Sequence, residues 1–184
     1  MQGSDIMKKI ALALAAALTT LATPALAQEA EDFSGAKASV TAGYDVVDLN
    51  TPGVRNPDGG TYALGLGYDI QKGRTVFGIE GEVSDSTAKL KAGGATLAEA
   101  SRDLYIGGRV GIVTGKTLIY AKAGYSNFRL LTVAGNGNAD GFRAGAGLEH
   151  KLTDTVHAKV EYRYTDYEAG MERQQIVAGI GLRF

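Results

Sequence analysis

Gln174-Gln-Ile-Val-Ala-Gly-Ile-Gly-Leu-Arg-Phe184 ends the sequence. Side chains of an extended strand alternate between faces. Ile176, Ala178, Ile180, Leu182 and Phe184 therefore share a greasy face. Val177, Gly179, Gly181 and Arg183 share a face that is small or charged. The same pattern recurs along the chain behind an export-type leader. No later apolar run reaches the length of a spanning helix. Such a chain spans a bilayer only by closing its strands, because lipid offers no hydrogen bonds to an open edge. The expected fold is all-β, an eight-stranded antiparallel up-and-down transmembrane β-barrel.

At the other end, Lys8-Lys9 is a basic patch, residues 10–22 are apolar apart from Thr19 and Thr20, and Ala25-Leu26-Ala27 is a small-x-small cleavage site. At about 1.5 Å per residue the apolar run reaches only ~20 Å, short of a ~30 Å hydrocarbon core. Residues 1–27 are read as an N-terminal extension and signal peptide, 28–35 as a polar periplasmic lead-in and 36–184 as the barrel. Setting aside Lys8, Lys9 and Asp5 moves the formal net charge from −1 to −2. That gives no electrostatic case for nucleic acid. With no cysteine there is no disulfide framework and no thiolate metal site.

The remaining strands follow the same alternation. Residues 36–47 turn Ala38, Val40, Ala42, Tyr44 and Val46 to the greasy face. Residues 61–70 turn Tyr62, Leu64, Leu66, Tyr68 and Ile70. A third strand from Thr75 shows Phe77, Ile79 and Val83, and a fourth, ending near Val113, shows Leu104, Ile106, Val110 and Ile112. Residues 117–128 show Ile119, Ala121, Ala123 and Tyr125; 141–152 show Phe142, Ala144, Ala146 and Leu148; 156–167 show Val156, Ala158, Val160, Tyr162 and Tyr164. Tight turns at 71–74, 114–116 and 153–155 alternate with longer links around 48–60, 84–102, 129–140 and 168–173. The short rim is assigned to the periplasm and the long one to the cell exterior. In the longest link Lys89 and Lys91 alternate with Ala88, Leu90 and Ala92 before Gly93-Gly94. That predicts a hairpin protruding beyond the membrane.

The opposite face carries glycines, among them Gly43, Gly107, Gly124 and Gly145, together with charges. Eight strands leave an interior just wide enough for side chains, and glycine makes room for long ones. Glu80, Glu82, Glu149 and Glu161 are expected to pair there with Arg109, Lys122, Arg143, Lys159, Arg163 and Arg183 as a lumen charge network, with Tyr105 and Tyr120 as filling. Asp69 and Asp103 lie on the same face. Tyr44, Tyr62, Tyr125, Phe142 and Tyr164 toward the long loops, and Tyr68 and Phe77 toward the short turns, form an aromatic girdle at the two interfaces.

Gly111-Ile-Val-Thr-Gly-Lys-Thr117 resembles a phosphate-binding loop, but it is one residue short and joins two strands. His150 is placed on the greasy face at the interface and His157 inward, flanking one tight turn. Neither completes a Ser–His–acid set. No catalytic, cofactor-binding or metal-ligating residue is expected.

Leu118-Ile-Tyr-Ala-Lys-Ala-Gly-Tyr125, Gly141-Phe-Arg-Ala-Gly-Ala-Gly-Leu-Glu149, Val160-Glu-Tyr-Arg-Tyr164 and Gly179-Ile-Gly-Leu-Arg-Phe184 in combination resemble the small outer-membrane β-barrel proteins. This eight-stranded group includes OmpA-type and OmpX-type barrels and the alphaproteobacterial surface antigens. The resemblance implies the outer membrane of a Gram-negative cell and contact with its lipids. It also implies that the outer-membrane assembly machinery reads the last strand, which makes Ile180, Leu182 and Phe184 the assembly signal. Some members carry a peptidoglycan-binding domain after the barrel; that function is not carried over to a sequence ending at Phe184. The expected role is a non-enzymatic, monomeric anchor presenting extracellular loops for surface contact or envelope integrity. Any extracellular ligand would be met at the long loops. A small porin-like channel is the alternative, and a lipid A-modifying enzyme a more distant one.

Overall fold

The computed structural model describes residues 30–48, 56–87, 89–92, 95–132 and 135–184. The strands are β1 (Gly35–Asp48), β2 (Asp58–Lys72), β3 (Thr75–Ser86), β4 (Lys89–Ala92), β5 (Ala95–Thr114), β6 (Thr117–Thr132), β7 (Gly135–Lys151), β8 (Val156–Tyr167) and β9 (Met171–Arg183). All pairings are antiparallel. β9 returns to β1, with Val40 opposite Ile180, and β3 pairs with β5, with Ile79 opposite Gly108. Eight strands thus close into a barrel, and β4 pairs with β5 on the side taken by β3, beyond the end of the β3 pairing. Closure satisfies the backbone groups of the wall, the condition for crossing hydrocarbon with strands.

The outer face is the expected greasy one. Leu66, Ile79 and Ile106 are 69%, 70% and 67% exposed, and Val40, Leu64, Val110 and Ile180 are exposed with them. The inner face alternates with it, and Arg143 and Arg163 are fully buried there. The barrel is narrow enough for inner-face glycine to be obligatory in places. A Cβ on Gly124 would overlap the carbonyl oxygen of Ile106 on the neighbouring strand.

One expectation changes, and two others are refined. Among the described residues the links predicted at 84–102 and 129–140 are largely strand, with β5 beginning at Ala95, β6 running to Thr132 and β7 beginning at Gly135, and those at 48–60 and 168–173 are shortened by strand, since β2 begins at Asp58 and β9 at Met171. Backbone pairing continues above the apolar band, where neither face needs to be greasy and alternation in hydrophobicity fades. Val46 keeps the outward parity of Val40, Ala42 and Tyr44 but is 2% exposed. Its register partners are Gln174 and Asp58, which places it above the apolar band among polar neighbours. The protruding hairpin is present as a backbone pairing, with Lys89 opposite Glu99 and Leu90 opposite Ala98. Its turn residues Gly93 and Gly94 lie outside the described residues.

Two outcomes follow from this geometry. Leu66→Arg should lower the unfolding free energy by about 2–4 kcal/mol, as for a cation at the bilayer midplane. Asn138→Arg, above the band, should cost almost nothing, and equal tolerance in lipid-vesicle denaturation would contradict the placement of Leu66. In hydrogen exchange, the Leu90 and Ala98 amides should be protected as a pair; fast exchange at both would remove the hairpin.

Candidate functional site

The lumen holds the chemistry of this chain, and alternation along each strand places it. Near the periplasmic end, Arg109 donates to Asp69 at 2.9 and 2.5 Å and to Glu149 at 2.7 Å. Arg183 reaches the same two carboxylates at 2.8 and 2.7 Å. His157 Nε2 lies 3.1 Å from Glu149. At mid-height Lys122 Nζ bridges Glu80 and Glu161, each at 2.7 Å, and Lys37 reaches Glu80 at 2.9 Å. Lys159 stands 3.4 Å from Glu161, whose other contacts are the Arg163 Nε and the Tyr120 hydroxyl. Arg163 also forks onto Glu82 with two bonds of 2.6 Å.

Toward the exterior, Arg143 donates to Asp103 and lies 3.6 Å from Glu82. Arg173 grips Asp45 at 2.8 and 2.7 Å and Asp103 at 2.9 Å. Ser86 donates to Asp45, and Ser126 to Asp103. The lumen tyrosines act as cation platforms, with Lys122 4.6 Å from the Tyr105 ring centre and Arg109 4.8 Å from that of Tyr120. A charge buried away from water is tolerated only when opposite charges and hydrogen bonds surround it.

All ten residues expected in this network meet there. Sequence reasoning left out Lys37, Asp45 and Arg173. Alternation already carried the signal for the first two, since each sits between outward positions of β1. Arg173 was assigned to a link. Counting back from Arg183 in steps of two reaches it on the inner face.

Apolar clusters close both ends of the network. At the exterior end Val47, Phe128, Tyr167 and Met171 pack together, with Arg173 lying 4.9 Å from the Phe128 ring centre. At the periplasmic end Val76, Val113, Leu118 and Tyr120 surround Phe33. Phe33 belongs to the segment expected to be a polar lead-in. Its ring is fully buried, so that segment is part of the lumen filling. Beside it the Ser34 N–H donates to Asp32 at 2.8 Å, which holds the Asp32 carboxyl below the usual carboxylate range.

On the outside, Tyr44, Tyr62, Tyr125 and Phe142 stand exposed at one end of the apolar band, and Tyr68 and Phe77 at the other. Tyr164 is only half-exposed. Tyr44 donates to Asp58 at 2.6 Å, Tyr62 to Asp85 at 3.4 Å and Tyr125 to Asp140 at 2.5 Å. Ile180, Leu182 and Phe184 are exposed on the outer face, and the Phe184 N–H bonds the Ala36 carbonyl at 2.9 Å. His150 is exposed and bonds Thr117 at 2.9 Å.

A family model of the outer membrane protein beta-barrel domain matches residues 13–184. The chain belongs to this family. The 25 kDa outer-membrane immunogenic protein of Brucella ovis is 32% identical over 77% of the chain and 72% of that protein. The 22 kDa outer membrane protein of Rhizobium leguminosarum bv. viciae is 27% identical over 67% of the chain and 68% of that protein. Among solved structures, Neisserial surface protein A superposes with a TM-score of 0.59 at 16% identity, covering 84% of this chain and all of that one. As a member of this family the protein resides in the outer membrane of a Gram-negative bacterium.

Removing one partner of such a network strands the other. Arg173→Ala should destabilise the barrel by about 3–5 kcal/mol, because Asp45 is left buried without its cation. An unchanged denaturation midpoint would contradict the pairing.

Proposed function

We propose that this outer-membrane barrel is a non-enzymatic, monomeric anchor that presents its exterior rim for surface contact and strengthens the envelope. The observation that carries the reading is the filled lumen. Charged side chains bond across it at every level, and an apolar cluster sits at each end. Such an interior favours a rigid plug over a conducting path. The histidines support a non-catalytic role: His157 is held inside by Glu149, and His150 contacts a threonine. Contact falls to the rim above the girdle and to the β4–β5 hairpin, whose β4 side pairs with no other strand among the described residues and can accept an extended partner. The exposed Ile180, Leu182 and Phe184 suit reading by the assembly machinery.

Purified protein reconstituted into planar bilayers should show no large, steady conductance. Reproducible wide openings would replace this reading with a porin-like channel.

A further inference from the structure

Residues 30–34 precede β1 and turn back into the periplasmic mouth. Among the described residues their one backbone bond runs from the Glu31 N–H to the Gly115 carbonyl, at 3.2 Å. The rest of their attachment is a socket. Val76, Val113, Leu118 and Tyr120 hold the Phe33 ring. Gln71 serves three neighbours along the segment. Its Oε1 accepts from the Phe33 N–H at 2.7 Å, its Nε2 donates to the Glu31 carbonyl at 3.1 Å, and its N–H donates to Ser34 Oγ at 3.1 Å. Arg183 donates to the Phe33 carbonyl. Lys151 lies 3.5 Å from the Glu31 carboxylate and 5.4 Å from the Phe33 ring centre.

The turn that aims the segment inward is at Gly35. Its φ is +111°, and a Cβ there would overlap the carbonyl oxygen of Phe184. Only glycine makes this bend without strain. A ring beyond a glycine bend, held by side chains and not by a strand ladder, can leave its socket without breaking the ladders of the wall.

We infer that residues 30–34 are a removable stopper, with Phe33 as its head and Gly35 as its hinge, that seals the barrel on the periplasmic side. The chain has no cysteine, so a thiol placed at Val113, fully buried in the socket, reports the seal. Val113→Cys in the full chain, reconstituted in lipid vesicles, is to be treated with a bulky, membrane-impermeant maleimide. Labelling should be slow with the stopper intact. It should accelerate by about tenfold or more when Phe33→Ala or Gly35→Ala is added, since losing either shifts the local opening equilibrium. Val47→Cys, in the exterior cluster, should not respond to either change.

Equal rates at Val113→Cys in all backgrounds would overturn the stopper. So would acceleration at both reporter positions, which would mean that the variants loosen the whole barrel. The anchor role is tested separately by the conductance of the unaltered chain, so one reading can fail without the other.

Discussion

A charge placed inside an eight-stranded barrel has no solvent to fall back on, and this governs the rest of the structure. The wall faces hydrocarbon, so every long polar side chain must point inward, and the bore is too narrow to hydrate them. Taking ions from water costs several kcal/mol each unless excellent geometry compensates. Sharing provides that geometry here. Glu149 serves Arg109, Arg183 and His157, while Asp103 serves Arg143 and Arg173. Fork-shaped guanidinium groups dominate because each satisfies two carboxylates at once. The glycines follow from the same crowding, since a narrow bore leaves no room for both a Cβ and a neighbour's carbonyl.

The clusters at the two ends complete this logic. A network of ion pairs is weakened by water, which competes for each carboxylate. Val47, Phe128, Tyr167 and Met171 on one side and Phe33 with its socket on the other cover the pairs with apolar side chains. The interior is therefore layered, apolar–charged–apolar, along the barrel axis. The outside is layered in the opposite sense, with an apolar band between polar rims.

Much of this layering was legible in the sequence wherever one face had to be greasy. Ile176 to Phe184 alternate without interruption, and both the fold and the inward position of Arg183 follow. Legibility ended where that requirement ended. Above the band, Arg173 lies in a strand that sequence reasoning cut short, because Gln174 and Glu172 on its outer side are not apolar. The role of Phe33 was hidden for a different reason. A single aromatic residue in a short polar stretch carries no periodicity, and its partners come from β3, β5 and β6, far away in sequence.

The exterior tyrosines have a consequence for the surrounding bilayer. A free tyrosine at an interface swings on its side-chain torsions and follows the headgroups as the membrane thickens or thins. Tyr44, Tyr62 and Tyr125 are tied through their hydroxyls to Asp58, Asp85 and Asp140 on neighbouring strands. Their height above the midplane is then a property of the barrel. Lipids near the protein must stretch or compress to meet it, at a cost of fractions of a kcal/mol per Å of mismatch. The barrel acts as a gauge block that fixes membrane thickness around itself, and proteins of matching hydrophobic height would share its neighbourhood at the least elastic cost.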